Sequence, residues 1–304
     1  LGDVYKRQPW DIKVSPNLPN PDCYLPNNGG YHDDSIDIQI NVTYWTQDLQ
    51  QVDAPGEGTT TVMSARVKLT DVSQFRTGFA NKYPSKQARH VNDMTKRFNA
   101  VMGIDGDYCL YHEQGIVVRN GQTLRMRPHK GRDELIVDEN GDFHLITRTT
   151  QAKWDEYIAG GGTVLHAFCF GPALVVDGVP LTNLDDVTID NGKAKKAQRM
   201  VIGQIGKLEY LILTNEGPES TAPKSVGFDL VQMANLCVQF GLNNAYNLDG
   251  GSSSTIALNN QKINSPSSHK NRMVGDCIWF ATLVKEETWR EKESVQTVEV
   301  EENK

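Results

Sequence analysis

Residues 245–255 read AYNLDGGSSST and join a short apolar strand to an amide, a carboxylate, two glycines and four consecutive hydroxyl groups. Asp249 ends the strand, and the glycines that follow it tolerate positive φ and close approach by another group. Successive N–H groups of residues 250–253 can therefore point at one anion, and the hydroxyls of residues 252–255 can add donors. The same residues also suit a turn, so the stretch predicts either a phosphate-binding loop beside an acid or a structural turn.

The residues before this loop favour a βαβ unit. Residues 208–216 (LEYLILTNE) have the character of a strand, and residues 226–240 carry apolar side chains at helical spacing. Strand, helix and strand in this order predict two parallel strands joined by a right-handed crossover. Glu216 and Asp249 would then lie at the carboxyl ends of neighbouring or near-neighbouring parallel strands, the edge where open α/β sheets bind ligands.

The rest of the chain alternates between strand and turn signals. Residues 36–44 place an apolar side chain at every second position, which predicts a half-buried strand. Asn-Gly pairs at 120–121 and 140–141, and the Asn-Asn pair at 259–260, predict tight hairpins. Residues 71–100 are mostly helical in character, with a break at Pro84.

These patterns predict an α+β fold with a mixed β-sheet and flanking helices, in which the βαβ strand ends carry the site. We expect one domain over residues 31–285, preceded by an extended segment at 1–30 and followed by a charged tail or surface helix at 286–304. No repeat or linker divides the chain, and its 304 residues suffice for one large core.

Composition narrows the classes of function. A formal net charge of -7, without any block of lysine or arginine, argues against a nucleic-acid-binding surface. No apolar run is long enough to span a membrane, and the first thirty residues lack the apolar stretch of a signal peptide, although the chain begins without Met. The five cysteines form no CxxC pair; they suit buried positions, and one or two disulfides remain possible.

Known catalytic and ligand-binding motifs do not match. The chain has no P-loop, no GxSxG nucleophile turn and no HExxH pair, and its seven histidines show no metal-ligand spacing. The acidic stretch at 138–143 (DENGDF) lacks the glycine and the final glutamate of an EF-hand, so it predicts a hairpin turn. We therefore predict neither a metal nor a cofactor.

Five segments, in order, resemble the phosphodiester glycosidase family. Residues 214–266 carry a loop similar to the family signature Asn-Leu-Asp-Gly-Gly-Gly-Ser-Ser-Thr, with Ser252 in place of the third glycine. Residues 100–109 (AVMGIDGDYC) resemble the family's Asn-Gly-Asp-Tyr/Phe strand end, with Asp105 in place of Asn. The remaining similar segments are AFCFGPALVVDG at 167–178, AQRMVIGQ at 197–204 and NRMVGDCIWF at 271–280.

The resemblance implies hydrolysis of a sugar-1-phosphodiester to a free sugar and a phosphomonoester. On that basis Asp249 is the leading catalytic carboxylate, with Asp107 or Glu216 as its partner. Arg199 and Arg272 would clamp the phosphate, because guanidinium groups suit phosphate oxygens. The other residues that we assign to substrate binding are Asn247, Gly250, Gly251, Ser252, Ser253, Ser254, Asp105 and Asp276.

The resemblance also implies the setting in which the chain acts. The expected partner is a phosphodiester-linked glycan or a small molecule like a sugar nucleotide, met outside the cytoplasm. Two alternatives stay open: a sugar-phosphate-binding module without catalysis, and a metal-dependent phosphodiesterase that breaks the P–O bond with Asp105, Asp107 and Asp249 as ligands. Without the resemblance, either arginine could be an ion-pair residue and Asp107 or Asp276 a turn carboxylate.

Overall fold

The computed structural model describes residues 15–184, 187, 195–218, 224–265 and 271–290. Within those ranges the α-helices are α1 (Val91–Phe98), α2 (Gln151–Ala159) and α3 (Leu230–Gln239), and short 3-10 helices cover Pro21–Cys23, Pro26–Asn28, Val72–Gln74 and Gly251–Ser253. The strands are β1 (Tyr24–Leu25), β2 (Gly30–His32), β3 (Ile36–Trp45), β4 (Gln51–Val52), β5 (Thr60–Leu69), β6 (Phe75–Phe79), β7 (Met102–Asp105), β8 (Gly115–Arg119), β9 (Gln122–Arg127), β10 (Glu134–Val137), β11 (Phe143–Ile146), β12 (His166–Phe168), β13 (Ala173–Val176), β14 (Val179–Pro180), β15 (Arg199–Gly206), β16 (Glu209–Asn215), β17 (Asn244–Asn247), β18 (Ile256–Leu258), β19 (Gln261–Lys262) and β20 (Asp276–Phe280).

The strands form three sheets. The large sheet has the order β1-β2-β3-β5-β16-β15-β17-β13-β14, with β4 beside β3. The second sheet has the order β11-β10-β12-β8-β9, and the third has the order β19-β18-β7-β20-β6. Few helices and many strands confirm the predicted α+β class.

The predicted βαβ segment contains its strand, helix and strand, but the two strands are not neighbours. Strands β16 and β17 each pair antiparallel with β15, so they run in the same direction with β15 between them. Helix α3 begins at a capping box in which Asp229 and Gln232 bond each other's backbone N–H groups. Its apolar face packs on the large sheet through side chains such as Met233 and Leu236. All strand pairings described are antiparallel. Strands such as β16 and β17 are parallel to each other only across the strand between them.

An aromatic cluster joins the three sheets. The ring of Phe75 in β6 lies 5.2 Å from that of Tyr210 in β16 and 6.1 Å from that of Phe143 in β11. Phe280 in β20 packs edge-on at 5.5 Å. Because each sheet contributes at least one of these rings, the core is continuous from the large sheet to the strand ends that carry the site.

The predicted helix over residues 71–100 is largely wrong. Residues 75–79 form β6, which pairs with β20 from Phe75↔Phe280 to Phe79↔Asp276, and only Val91–Phe98 is an α-helix. Burial between neighbouring strands decides the conformation here, overriding the local helical character. The hairpins at 120–121 and 259–260 are confirmed, and Asn120 has the positive φ of 51° that such a turn requires.

The chain ends differ in how far the structure describes them. Residues 1–14 and 291–304 lie outside the described residues, so most of the predicted tail does too. Residues 24–32 form the β1–β2 hairpin at the edge of the large sheet, and Tyr24 packs against its core. Of the helices described, none has the length and apolar character to cross a membrane.

Candidate active site

Two loops that follow strand ends are bonded to each other and build the site. The Thr255 N–H donates to Asp105 Oδ1 at 2.8 Å, and the Asp249 N–H donates to the Gly106 carbonyl at 3.2 Å. The loop that follows β7 and the loop that follows β17 are therefore in direct contact. This contact brings together Asp249 and Asp105, two of the acids singled out from the sequence.

Asp249 and Asp105 have different environments. The Asp249 side chain is 8% exposed, and its Oδ1 accepts the N–H of Gly250 at 2.9 Å. Asp105 is fully buried, and its Oδ2 has no hydrogen-bond partner in the described residues. Burial, followed by the charge of Asp249, raises the pKa of Asp105 well above its usual value. Burial beside a second carboxylate therefore favours the neutral form of Asp105.

The loop at residues 250–254 does not present a row of free N–H groups to an anion, which corrects the sequence-based expectation. The Gly251 N–H donates to the Gln198 carbonyl at 2.9 Å, and the Ser253 N–H donates back to Gly250 at 3.2 Å. The Ser254 N–H donates to Gly251 at 3.2 Å. The chain folds into a short 3-10 turn, Gly251–Ser253, within which the Ser253 and Ser254 N–H groups are used.

The glycines of this loop have steric reasons to be glycine. A side chain on Gly250 would place its Cβ 3.0 Å from the Gln198 carbonyl oxygen, and Gly251 has a φ of 63°. Ser252 is half-buried, whereas the hydroxyls of Ser253 and Ser254 are buried without a partner in the described residues. Those two hydroxyls are the donors of the loop that the protein leaves unused.

Asp107 and Asp276 share a buried arginine that the sequence analysis missed. The Arg119 Nη2 lies 3.2 Å from Asp107 Oδ1 and 3.0 Å from Asp276 Oδ2, and all three side chains are at most 2% exposed. Asp107 also accepts the N–H groups of Cys109 and Cys169, each at 2.9 Å. Both oxygens of Asp107 are therefore occupied inside the protein.

The charges of this triad shift the pKa values of its own members and of the neighbouring thiols. Burial alone would raise the pKa of Asp107, but Arg119 and the Cys169 N–H lower it below its usual value. Burial and the charge of Asp107 raise the pKa of Asp276 to about 6, against the opposing effect of Arg119. Burial, followed by the charge of Asp107, raises the pKa of the Cys109 and Cys169 thiols well above their usual value. Both thiols stay protonated, and neither is a thiolate nucleophile.

The same triad bears on metal binding. Ligand atoms of Asp107, Cys109 and Asp276 lie within 4.8 Å of one another, the one such group of three or more among the residues described. The Arg119 guanidinium is already paired with both carboxylates, so a metal ion would have to displace a buried cation. This donor set fits an ion triad better than a metal site.

Glu216 forms a second buried group, with a lysine that the sequence analysis also missed. Its Oε1 accepts the Ser265 N–H at 3.0 Å, and its Oε2 is buried without a partner in the described residues. Burial raises the pKa of Glu216 to about 7, although that N–H and Lys262 oppose the shift. The Lys262 ammonium donates to the Ser254 carbonyl and the Thr255 hydroxyl at 3.3 and 3.2 Å, so the cation that acts on Glu216 is held at the base of the loop.

The two arginines predicted to clamp phosphate differ in access. Arg199 is 6% exposed and donates to the Lys195 carbonyl at 2.6 Å. Burial lowers the pKa of Arg199 to about 10, and Asp229 offsets part of that shift. Arg272 is exposed, with its Cζ 5.5 Å from the ring centroid of Tyr108. Arg272 is thus the accessible cation of the two.

Asn247 is oriented by the neighbouring segment. Its Nδ2 donates to the Gly171 carbonyl at 2.8 Å, and its backbone N–H donates to the Pro172 carbonyl at 3.0 Å. The Oδ1 of Asn247 is buried and has no partner in the described residues. Asn247 therefore offers one unused acceptor two residues before Asp249.

The missed residues carried weak signals in the sequence. Arg119 ends the apolar run GIVVR just before the predicted turn at 120–121, a place where a buried cation is unexpected. Lys262 follows the predicted turn at 259–260, where a lysine reads as an exposed hairpin residue. Only the tertiary fold shows that each faces carboxylates.

Arg119 supplies the first prediction. Arg119→Met removes the cation and leaves two buried carboxylates together, so we expect a loss of about 3–5 kcal/mol in the free energy of unfolding. Chemical denaturation at pH 7 measures this loss, and Arg148→Met at an exposed arginine outside the triad is the control. An Arg119→Met protein as stable as the control would contradict the triad's structural role.

Glu216 supplies a pH prediction. Its folded pKa of about 7 exceeds the usual 4.5, so its contribution to stability is complete below pH 4.5 and is lost as the pH rises through 7. Over that pH range the wild type should lose on the order of 2–3 kcal/mol in its free energy of unfolding, and Glu216→Gln should lack this loss. Denaturation midpoints from pH 4.5 to 8 test this, with the exposed Glu57→Gln as control; parallel pH profiles for wild type and Glu216→Gln would refute it.

The chain is similar to known proteins in sequence pattern and in fold. The family model described as phosphodiester glycosidase matches residues 98–281. The catalytic domain of zebrafish N-acetylglucosamine-1-phosphodiester alpha-N-acetylglucosaminidase, auto-inhibited by its pro-peptide, is similar in structure, with a TM-score of 0.63 and 16% identity over 84% of this chain and 86% of that one. A hypothetical protein from Synechocystis has a TM-score of 0.53 and 13% identity over 81% of this chain and 62% of that one.

A search of curated protein sequences finds no match. At these identities the two solved structures show a shared fold, and the family assignment depends on the model matched across the loops of the site. The matched region includes Asp105, Asp107, Arg119, Asp249 and Asp276. The chain belongs to the phosphodiester glycosidase family.

Proposed function

We propose that this chain hydrolyses the glycosidic C–O bond of a sugar-1-phosphodiester, in the manner of an N-acetylglucosamine-1-phosphodiester, and releases the sugar and a phosphomonoester. One observation carries the proposal: the loop after β7 contacts both an acid and a cation, since its Gly106 carbonyl accepts the Asp249 N–H at 3.2 Å and its Tyr108 ring lies 5.5 Å from the Arg272 Cζ. Asp249 and Arg272 therefore both lie next to the loop after β7.

That arrangement suits the charges of the reaction. As the C1–O bond breaks, its electron pair leaves with the phosphate oxygen and the sugar carbon gains oxocarbenium character. The Asp249 carboxylate stabilises the positive sugar, and Arg272 stabilises the negative phosphate with paired N–H donors. Water then adds to C1 and loses a proton. Since phosphate is a good leaving group, the reaction does not require a strong general acid.

The presence of Asp105 in place of asparagine is compatible with a catalytic site. The family motif has asparagine where this chain has Asp105, a departure that suggested a non-catalytic binding module. A protonated carboxyl offers one acceptor and one donor, as an asparagine amide does. The buried, neutral Asp105 accepts the Thr255 N–H with Oδ1 and keeps Oδ2 as a hydroxyl. It therefore replaces asparagine without adding a second charge beside Asp249.

Glu216 is a better partner for Asp249 than Asp107. Both oxygens of Asp107 are used by Arg119 and backbone N–H groups, which also argues against Asp107 as a ligand in a metal-dependent phosphodiesterase. Glu216 keeps one oxygen unused, and a pKa of about 7 suits a group that exchanges a proton with water at neutral pH. We assign Glu216 to activate water or to bind a sugar hydroxyl.

The finer parts of the proposal rest on the family. We infer that Asn247, Ser253 and Ser254 bind sugar hydroxyls with their unused polar atoms. We also infer a carbohydrate substrate outside the cytoplasm, such as a phosphodiester-linked glycan of the cell envelope. Arg199, mostly buried, would then support the loop from behind instead of clamping the phosphate.

Asp249→Asn tests the proposal. With an alkyl N-acetylglucosamine-1-phosphodiester, wild type should release N-acetylglucosamine and alkyl phosphate with or without EDTA. Asp249→Asn should lower the rate at least about a hundredfold, because the neutral amide cannot stabilise the oxocarbenium charge. Mass spectrometry identifies the products, and the exposed Asp53→Asn is the control.

Other products would point to other activities. Release of sugar-1-phosphate that EDTA abolishes would favour the phosphodiesterase. Saturable binding of the diester without any turnover would favour the binding module.

A further inference from the structure

A cluster of aromatic rings surrounds Tyr108 on the loop after β7, whose Gly106 carbonyl accepts the Asp249 N–H, and it has no role in the chemistry above. The ring centroids of Tyr108 and Tyr111 are 4.6 Å apart with an interplanar angle of 26°. Phe170 meets Tyr108 edge-on at 6.4 Å. The Arg272 Cζ lies 5.5 Å from the centre of the Tyr108 ring, within the range of a cation–π contact.

Within the described part of the chain, the N–H groups of the Arg272 guanidinium have no hydrogen-bond acceptor. Arg125, a neighbour in the same region, spends its donors on the carbonyls of Cys109, His112, Gln114 and Gly115. For Arg272, in contrast, the ring of Tyr108 is the one contact found among the residues that the structure describes. A cation–π contact orients a guanidinium without consuming any N–H group, so all five remain available to phosphate oxygens.

The backbone of Tyr108 has an unusual conformation. Its φ is 57°, in the left-handed region that a bulky aromatic residue rarely adopts. On either side of it, Asp107 pairs with Arg119 and accepts the Cys109 N–H, which holds this turn in place. Strained conformations that the surrounding structure enforces often serve a site. Here the turn points the ring towards Arg272.

The position of the cluster relates it to the acid. The Tyr111 hydroxyl donates to the Lys86 carbonyl at 3.1 Å. The loop that carries Tyr108 also contacts the acid, because its Gly106 carbonyl accepts the Asp249 N–H at 3.2 Å. A phosphate held by Arg272 would lie within reach of a sugar beside Asp249.

From these contacts we propose that Tyr108 is a positioning residue, whose ring holds the Arg272 guanidinium where the phosphate of a sugar-1-phosphodiester meets it. The inference rests on the proposed function and adds the residue that sets the geometry of the phosphate contact. Tyr111 stacks behind Tyr108 and limits the motion of its ring.

The test compares Tyr108→Leu, Tyr108→Phe, Arg272→Gln and the double variant Tyr108→Leu/Arg272→Gln. With the alkyl diester, Tyr108→Leu should raise KM roughly five- to tenfold with kcat nearly unchanged, since the lost contact acts equally on ground and transition states. Tyr108→Phe should restore KM because the ring remains. The double variant should be no worse than Arg272→Gln, because the two residues act through one contact.

Two controls separate this role from folding. Trp289→Leu removes a similar ring beneath Arg290, whose Cζ lies 5.6 Å from it, and should leave KM unchanged. Thermal unfolding is measured for every variant. If Tyr108→Leu does not fold, Tyr108→Gly replaces it, since glycine adopts a φ of 57° without strain.

The outcomes separate the two claims. If wild type turns over and Tyr108→Leu leaves KM unchanged, or adds fully to Arg272→Gln, the positioning role is wrong and the proposed function stands. If wild type binds the diester without turnover, the proposed function is wrong, and calorimetric Kd values for the same variants decide the positioning role. If wild type neither turns over the diester nor binds it, both claims are wrong.

Discussion

The site depends on one buried ion triad, in which Arg119 lies between the carboxylates of Asp107 and Asp276. Moving three charged groups out of water costs several kcal/mol each, so the arrangement persists only because every partner is present. The triad joins the end of β7 to the start of β20 and connects both to β8. By holding the turn at Asp107, it also directs Tyr108 outward and keeps the Gly106 carbonyl where the Asp249 N–H reaches it.

The short sequence DGD at 105–107 shows how environment separates identical side chains. Asp107 meets a guanidinium and two N–H groups, which lower its pKa. Asp105, two residues earlier, is fully buried near the charge of Asp249, and both effects raise its pKa although the Thr255 N–H opposes the shift. Arg119 therefore favours the anionic form of Asp107, whereas burial beside Asp249 favours the neutral form of Asp105. The pair follows the general rule that opposed pKa shifts mark different roles.

Local signals in the sequence predicted what depends on local chemistry. The hairpins at 120–121 and 259–260, the helix near 226–240 and the strand end at Asp249 all follow from turn residues and periodicity. The resemblance correctly indicated the family. Residues 75–79 were predicted as helix because their helical character is local, whereas their pairing with β20 is not.

The site itself was only partly predictable, because its key contacts join distant segments. Nothing near Arg119 in the sequence shows that Asp276 faces it, and nothing near Lys262 shows that Glu216 does. The prediction of a row of free N–H donors in the glycine loop was wrong for a similar reason. The Gln198 carbonyl, just before β15, accepts the Gly251 N–H and joins the loop to that strand.

The central claim is that the C–O bond breaks and the P–O bond stays intact. Hydrolysis of the alkyl diester in water enriched in oxygen-18 tests it most directly, since phosphate oxygens do not exchange with solvent on this timescale. The account predicts an alkyl phosphate that carries no label, with the heavy oxygen in the sugar after rapid reduction of its reducing end. Label in a phosphate product would show attack at phosphorus and would contradict the account.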